Sequence, residues 1–478
     1  MKKISPVLFL LLAAVCGRAQ SGYEIKVTLK PFKNQYVYLG HYSGKQMPVV
    51  DSIKLNEKSE GVFRGDKKLG GGIYLVAWPD KAHIIEFLLD SNQRFSIIAD
   101  TADAKNIRFV NSAENVAFRK YQDRMSEIGK EMDGLMTQLK NAKTEKDSLA
   151  LREKIEKVNA DMKTYRTSLM NDSNNGMLAT LLKWMREPDV PKDDPAAKTD
   201  SMFAYHYFKK HYWDDLHFYD DRVSRTPFFE SKVDKYFEQL VHPSPDSVIK
   251  EIDWMMGWAG ANAEMEKVML LKFINRYYNQ KYMWEDKVFV HLYERYIAPT
   301  SYSWMSESGR KMITDRAYSL MSNIMGNPAP DITLPDTAGK TRRLYDVQAP
   351  YVLVTIWDPL CGHCKETLPK IDSIYRSKWK AEGVKVFALA KETEGKKDDW
   401  FSFINKNNLH DWVHVYSSKE SEAARVKNNT PSYSQLYDVQ SFPTLYLLDK
   451  DKRIIAKKLS FQQVDEILDL RLKADAKK

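Results

Sequence analysis

The chain has 478 residues, of which 43% are hydrophobic and 29% are charged. This length exceeds one ordinary domain, so about two to four domains with buried cores are expected. The composition excludes a disordered or collagen-like chain. The formal net charge is +9, and the basic residues form no clustered stripe along the chain, which argues against nucleic acid as a partner.

The first residues predict export. Lys2 and Lys3 precede an apolar run, residues 6–15, and a small-residue site at residues 17–19 follows it. This is the layout of a secretory signal peptide, here residues 1–19. The apolar run is too short to cross a hydrocarbon layer of roughly 30 Å. We therefore expect a soluble, periplasmic protein.

Cys16 offers an alternative, because exported lipoproteins are cleaved just before a cysteine. Val15 stands where Gly, Ala or Ser is wanted, so a lipid-anchored envelope protein is the less favoured prediction. If Cys16 leaves with the signal, Cys361 and Cys364 are the only cysteines of the mature chain. A disulfide between them would close a tiny loop and remove little chain entropy, so stapling the fold is not their expected purpose.

Residues 20–111 predict an all-β, sandwich-like domain. Short aromatic and β-branched runs, such as EIKVTL, YVYLGHY, GIYLVAW and FSIIAD, are separated by Gly, Asn, Asp and Ser, as in strands joined by turns. Strands at this spacing favour a small sandwich or barrel. The pattern VYLGHY, VVDSIKL, FRG and EFLLD resembles an uncharacterised β domain that precedes exported thioredoxin-like modules.

Residues 112–172 predict two helices, because apolar residues recur there at alternating spacings of three and four. The apolar positions are Phe118, Tyr121, Met125, Ile128, Met132, Leu135 and Leu139, then Leu151, Ile155, Val158, Met162, Tyr165 and Leu169. The short polar link between them favours an antiparallel helical hairpin within one chain. The same seam also fits a homodimer interface, and that alternative stays open.

Residues 173–325 predict an α-helical domain rich in Tyr, Trp, Phe and Met. One stretch, YHYFKKHYWDDLHFYDDR, contains His206, His211 and His217. Their spacings of five and six do not place them on one helix face, so no metal site is expected. The stretches YWDDLHFYDDR, TPFF, YFEQLV and PDSVIKEID resemble another uncharacterised helical domain of exported proteins. That resemblance implies architecture and not chemistry.

Residues 326–478 predict an α/β domain. The apolar strand YVLVTIW leads into WDPLCGHCKETLP, and further strands and helices alternate before a closing antiparallel pair. This order describes a sheet with helices on both faces. A C-x-x-C pair at the end of a buried strand, at the start of a helix, has the placement of a thioredoxin-type redox motif.

The placement predicts a division of labour between the two cysteines, which form the expected catalytic, redox-active pair. Cys361, at the helix start, is favoured as a thiolate by free amides and the helix dipole, and we expect it to attack a partner disulfide. Cys364, one turn on, is expected to resolve the mixed disulfide. Gly362 offers little steric hindrance, and protonated His363 is expected to tune the thiolate and raise the reduction potential.

This domain resembles the thioredoxin superfamily and, more narrowly, the exported thiol–disulfide oxidoreductases of the TlpA/ResA type. The stretches APDITLPDTAGKTRRL, VTIWDPLCGHC and YDVQSFPTLYLLDKDKRI carry the resemblance. It implies that Trp357 is the family's active-site tryptophan and that Pro369 kinks the active-site helix. It also implies that Pro443, after Phe442, is the cis-proline whose neighbouring backbone binds a partner as an added strand. Phe442 and Pro443 are therefore expected to dock the substrate.

Two departures from the family concern proton transfer. Thr355 stands where cytoplasmic thioredoxins carry a buried aspartate, and Thr367 where this family carries a glutamate. The usual proton relay is thus absent or displaced. Glu366, beside Thr367, could take over through a water molecule or be a solvated surface carboxylate. The central Gly-His pair is also that of disulfide isomerases, whose potentials lie near about −180 mV against about −270 mV for thioredoxin.

Three rival functions fit the sequence less well. A peroxiredoxin needs a Pro-x-x-x-Thr/Ser-x-x-Cys run, but counting back from Cys361 places Val354 at the proline position and Asp358 at the Thr/Ser position. A zinc site needs more ligands, and His410 and His414 lie far along the chain from the cysteine pair. A binding protein with a vestigial redox module is disfavoured because both cysteines and Pro443 are present.

The sequence therefore predicts an exported thiol–disulfide oxidoreductase that needs no cofactor. Its expected partners are disulfide-containing or dithiol proteins of the cell envelope and a membrane electron donor of the thiol-carrier type. Reductase is the favoured direction, since the resembling family mostly works reductively. A periplasmic oxidase or isomerase is the alternative.

Overall fold

The computed structural model describes residues 22–172, 176–393 and 396–475, without the side chains of residues 104 and 105. The predicted signal peptide, residues 1–19, and Cys16 lie outside these ranges. The chain divides into two compact units. The first extends to Val241 and includes Met255–Val268, and the second comprises His242–Trp254 and Met269–Lys478. Within the described residues, no helix combines the length and the apolar character that crossing a membrane requires.

The amino-terminal part is a β-sandwich, which confirms the predicted all-β fold. Its strands are β1 (Tyr23–Lys30), β2 (Tyr36–His41), β3 (Val49–Lys54), β4 (Glu60–Gly65), β5 (Gly72–Ala77), β6 (Ile84–Leu89), β7 (Arg94–Asp100) and β8 (Asp103–Val110). They form two four-stranded sheets in the orders β4-β1-β7-β8 and β3-β2-β5-β6. The four quoted runs form β1, β2, β5 and β7, and weaker patterns supply the others.

Alternating burial along the strands explains the sandwich. In β1 every second residue, such as Ile25 and Val27, points into a core shared with Phe63 and Phe87 from the other strands. β5 differs because it is buried along its whole length. Its outer face is covered by helical residues that include Phe118 and Leu178, so a strand buried on both faces reads as a continuous apolar run.

Two long helices follow, α1 (Ala113–Lys140) and α2 (Glu145–Asn171). The Ser112 side chain caps α1 and the Thr144 side chain caps α2, each accepting a hydrogen bond from a backbone N–H of the first turn. The rings of Tyr121 and Tyr165 stack at a centroid distance of 6.4 Å, so the predicted seams meet. α1 buries several of its seam residues, whereas α2 has none that is fully buried.

The middle of the chain is helical, as predicted, but it is interrupted more often than its composition suggests. The helices are α3 (Gly176–Met185), α4 (Phe203–Lys210), α5 (Phe229–Gln239), α6 (Pro245–Ala259), α7 (Ala263–Tyr278), α8 (Glu285–Leu292) and α9 (Glu307–Met321), with 3₁₀ turns at Pro195–Lys198 and Asp221–Arg225 and a π turn at Tyr293–Ile297. Prolines and local Asp turns break the helical pattern. The aromatic residues are mostly core, since Trp184 packs edge-on against Phe218 and Phe229 at 5.6 and 5.4 Å.

The carboxy-terminal part is an α/β domain, as predicted. Its elements are β9 (Thr333–Pro335), β10 (Thr341–Arg343), β11 (Tyr351–Trp357), α10 (Gly362–Ile374), β12 (Val384–Lys391), α11 (Lys397–Lys406), β13 (Val413–Ser417), α12 (Lys419–Lys427), α13 (Tyr433–Leu436), β14 (Thr444–Asp449), β15 (Ile454–Lys457) and α14 (Phe461–Asp475), with a π turn at Tyr375–Trp379 and a 3₁₀ turn at Leu344–Asp346. The main sheet has the order β13-β12-β11-β14-β15. β11, β12 and β13 run parallel, and β14 and β15 pair antiparallel.

The central strand β11 is buried along its whole length because helices cover both faces of the sheet. Leu353 and Trp357 point to one apolar cluster and Val352 and Ile356 to the other. Helices α12 and α13 lie between β13 and β14, in a polar segment whose sequence predicts no helix. Their start is local, since Ser432 caps α13 with a capping box.

Candidate redox site

The motif cysteines lie at the carboxyl end of β11, where α10 begins. Cys361 is the N-cap residue of α10, and its Sγ accepts a hydrogen bond from the Cys364 backbone N–H at 3.4 Å. The N–H groups of the first helical turn have no carbonyl acceptor within the helix, and here the cysteine sulfur accepts one of them. Sequence spacing therefore predicted the relation between the two residues, because positions three apart share one helix face.

The two sulfurs occupy different surroundings. Cys361 is half-buried, whereas Cys364 is fully buried in the core cluster that also contains Trp357 and Leu368. Burial, together with the nearby sulfur of Cys361, raises the pKa of the Cys364 thiol well above its ordinary value. A side chain at Gly362 would meet no atom within 4 Å. The outer sulfur is thus open to a partner and the inner one is protected.

A second loop faces Cys361 from across the site. The peptide bond between Phe442 and Pro443 is cis, as the family resemblance implies. The Cys361 thiol donates a hydrogen bond to the Phe442 carbonyl oxygen at 3.6 Å. Phe442 and Pro443 are both partly exposed. The structure therefore joins the two residues expected to dock a substrate to the sulfur expected to react with it.

The other expected site residues lie around this centre. Trp357 is fully buried and packs against Phe403 at a ring centroid distance of 5.0 Å. It therefore contributes to the core beside the cysteines and is not accessible to a substrate protein. His363 and Glu366 are exposed on α10. Both are close to the motif in sequence, and their predicted tuning and relay roles stay predictions.

The family's two proton-relay positions, Thr355 and Thr367, carry no carboxylate. Thr355 is buried in β11, and its hydroxyl has no hydrogen-bond partner among the described residues. Thr367 is half-buried on α10. The family's usual positions are thus filled by neutral side chains.

Asp358 lies beside the cysteine pair and was not among the predicted site residues. Its carboxylate is 2% exposed and accepts hydrogen bonds from the Leu360 N–H at 2.7 Å and from the Thr393 N–H at 2.9 Å. Its carbonyl oxygen accepts from the Cys361 N–H at 3.2 Å. Asp358 therefore holds the turn that presents Cys361. The Asp-Pro pair was an available signal, because Asp before Pro favours turns.

The histidines of the middle segment do not converge. His206 lies 3.3 Å from Asp200, His211 lies 2.6 Å from Asp214, and His217 stacks on Tyr219. No group of three His, Cys, Asp or Glu side chains that could hold a metal ion occurs in the part of the chain that the structure describes.

The sheet order, the C-x-x-C pair at the end of its central strand and the cis-proline facing that pair define the class. The carboxy-terminal part is a thioredoxin-like domain.

Comparison with known proteins narrows the class. Residues 325–457 match the AhpC/TSA family, and residues 145–317 match a domain of unknown function, DUF5106. Thiol-disulfide oxidoreductase ResA from Bacillus cereus is 28% identical over 144 residues, which cover 30% of this chain and 74% of that protein. ResA from Bacillus anthracis is 25% identical over the same length.

Two solved structures are also similar. A domain of a possible thiol-disulfide isomerase from Cytophaga hutchinsonii is 33% identical, covers 32% of this chain and 97% of its own, and has a TM-score of 0.28. A thioredoxin-like protein from Bacteroides caccae is 22% identical, covers 60% and 98%, and has a TM-score of 0.45. The carboxy-terminal domain thus matches the AhpC/TSA family and is similar to ResA thiol-disulfide oxidoreductases, which confirms the predicted resemblance.

Proposed function

We propose that this chain is an exported enzyme that reduces disulfides of cell-envelope proteins through the Cys361–Cys364 pair. One observation carries the proposal: a half-buried Cys361 at a helix start accepts a hydrogen bond from the N–H of a buried Cys364 and contacts the backbone of Phe442. The substrate protein is called the client below.

The exchange proceeds in two steps. The Cys361 thiolate attacks one sulfur of the client disulfide, and the other client sulfur leaves as a thiolate that takes up a proton. The Cys364 thiol then loses its proton, and its sulfur attacks Cys361, which releases the second client sulfur. The client gains two electrons and two protons, and a Cys361–Cys364 disulfide forms. A dithiol carrier at the membrane returns the pair to its reduced state.

The neighbouring residues support client binding and thiolate tuning. The backbone beside Pro443 is suited to pair with an extended client strand. Exposed His363, in the first turn of α10, is suited to stabilise a thiolate at Cys361 when it is protonated. Exposed Glu366 is suited to pass protons to solvent. A vestigial module is disfavoured, because both cysteines and the cis-proline are present.

Export is the second part of the proposal. The amino-terminal pattern of Lys2, Lys3 and the apolar run supports secretion to the periplasm. Mass spectrometry of the mature protein tests it: a chain that starts at Gln20 supports a soluble form, and a lipid-modified Cys16 contradicts it. The partly exposed seam of α2 supports a homodimer, which sedimentation at several protein concentrations tests.

A redox titration against glutathione tests the direction of electron flow. A potential near about −270 mV supports a reductase, whereas one near or above about −180 mV supports an oxidase or isomerase. The central Gly-His pair is the observation that favours the second candidate. Reduction of insulin by the dithiol form, measured beside the titration, tests whether the protein exchanges disulfides at all.

A further inference from the structure

Two stretches of the second compact unit enclose a buried group of charged residues. One stretch, residues 278–323, spans α8 and α9 and is called the support segment here. The other, residues 438–443, ends in Phe442 and Pro443 and is called the docking loop. The support segment belongs to the helical middle of the chain, and the docking loop belongs to the thioredoxin-like domain.

Asp438 opens the docking loop and is 5% exposed. Its carboxylate accepts hydrogen bonds from the Arg316 guanidinium at 2.6 Å and from the Ser319 hydroxyl at 2.9 Å, both on α9. The Lys458 ammonium, just after β15, donates to its other oxygen. Burial pushes the pKa of Asp438 upward, but Lys458 and Arg316 outweigh burial and hold it below its ordinary value. Asp438 is thus a buried carboxylate whose charged partners lie on the support segment and just after β15.

Arg316 is itself fixed in place. It is 9% exposed, and it also donates to the Tyr278 carbonyl oxygen at 3.1 Å and to the Gln280 side chain. A guanidinium group that makes hydrogen bonds to several fixed acceptors has little freedom to follow a loop that moves. Arg316 therefore ties Asp438 to the support segment.

A second buried group lies on β15. The Lys457 ammonium donates to Asp286 and to both oxygens of Asn323, the latter at 2.7 Å. The Asn323 amide donates in turn to the Leu436 carbonyl oxygen at 3.0 Å, two residues before Asp438. Buried charges are tolerated only when they are paired and hydrogen-bonded. The thioredoxin-like domain therefore relies on the support segment to pair Lys457.

The docking loop is the expected client-binding backbone, so its placement bears on binding. We propose that the support segment positions the docking loop for the client, with Arg316 as the positioning residue. This inference rests on the proposed function, because a client is needed for the loop to dock. It assigns a task to part of the segment that matches a domain of unknown function.

The test compares full-length variants on two substrates. Arg316→Met removes the guanidinium, and Arg316→Lys keeps the charge. Arg310→Met is the matched control, because Arg310 lies on the same helix but donates only to carbonyl oxygens of the support segment, those of Ile297, Ala298 and Thr300. Insulin is the protein disulfide that needs docking, and a small nitroaromatic disulfide is the probe that does not.

We expect Arg316→Met to raise KM for insulin by about fivefold or more, with kcat and the rate on the small disulfide within about twofold of the parent. Arg316→Lys should recover part of the insulin KM, and Arg310→Met should leave it within about twofold. The equilibrium constant of the cysteine pair with glutathione should stay unchanged. Equal KM values for Arg316→Met and Arg310→Met would overturn the proposal.

Hydrogen exchange gives a readout that needs no enzyme activity. Backbone amides of residues 438–442 should exchange faster in Arg316→Met than in the parent, while those of α10 remain unchanged. If Arg316→Met does not fold, Asp438→Asn and Arg316→Lys decide by the same measurements. Absence of exchange by the parent protein on both substrates would reject the proposed function, whereas normal parent activity with an unmoved loop in the variants would reject only the positioning role.

Discussion

The sulfur of Cys361 and the carbonyl oxygen of Phe442 lie 3.6 Å apart, although the residues are 81 positions apart in the chain. This contact connects the start of α10 with the docking loop. A client strand that pairs with the backbone at Phe442 would bring its disulfide to Cys361, because the two groups are in contact. The geometry therefore supports one reaction centre made from two distant stretches, and it leads to the following predictions.

The roles of the two cysteines are separable by trapping. Cys364→Ser should accumulate mixed disulfides with insulin on Cys361, because no inner sulfur remains to release the client. Cys361→Ser should accumulate none, since Cys364 is fully buried. Non-reducing electrophoresis with peptide mapping measures both, and the variant lacking both cysteines is the control. Equal trapping by the two single variants would contradict the assignment.

The resolving step should accelerate with pH. The pKa of Cys364 is raised far above its ordinary value by burial, so its thiolate is a minor species at neutral pH. Its population then grows about tenfold per pH unit well below that pKa. With a nitroaromatic disulfide, the second release of nitrothiolate should rise steeply between about pH 6 and 8. Stopped-flow absorbance measures it, and a pH-independent second phase would argue against a thiol that must first ionise.

His414 should make the thioredoxin-like domain acid-sensitive. It is buried on β13 and donates to the Leu409 carbonyl oxygen at 2.7 Å, and burial lowers its pKa from 6.5 to about 4. The folded state therefore binds fewer protons than the unfolded one between these values, so stability is present above pH 6.5 and falls as the pH drops toward 4. The loss can reach about 3 kcal/mol.

Hydrogen exchange of β13 at several pH values measures this loss. His414→Gln should flatten the pH dependence between 6.5 and 4. His410→Gln, at an exposed position whose charge lowers the pKa of His414 less than burial does, should change it far less. An unchanged slope in His414→Gln would assign the acid sensitivity to other groups.

Loss of Asp286 should destabilise the second compact unit. Asp286→Asn leaves the buried Lys457 ammonium without its carboxylate, and breaking a buried ion pair costs about 3–5 kcal/mol. Asp246→Asn removes an exposed partner of Lys287 and should change little, since surface pairs contribute weakly. The free energy of unfolding of the two variants is compared by urea denaturation, with hydrogen exchange of β15 as the local probe. Equal losses in the two variants would show that burial of the ion pair does not matter.

Thr355 should be dispensable for proton transfer. Its buried hydroxyl has no hydrogen-bond partner among the described residues, so Thr355→Val should stabilise the domain by about 1 kcal/mol. Insulin reduction should keep its rate and pH profile. A slower or pH-shifted reaction would indicate that the hydroxyl takes part in the relay.

Local patterns were sufficient for the fold class and for the cysteine pair. Strand alternation, the heptad spacing of α1 and α2 and a C-x-x-C pair between a buried strand and a helix all depend on residues close in sequence. Helices α12 and α13 were not predicted, because short, polar, locally capped helices carry no apolar periodicity. The breaks in the helical pattern between α3 and α5 were not predicted either, since an aromatic-rich composition does not reveal where turns occur.

The sequence alone determined that Cys361 precedes a helix and that Cys364 follows one turn later, because both relations are set by backbone geometry over four residues. Only the folded chain decided which carboxylates become buried and what pairs with them. Asp358 and Thr393 are separated by 35 positions, and Arg316 and Asp438 by 122. Such pairings depend on how helices and strands pack, and desolvation then makes each partner necessary. The placement of the two cysteines is thus encoded locally, whereas the buried contacts of the loop that faces Cys361 are a property of the tertiary structure.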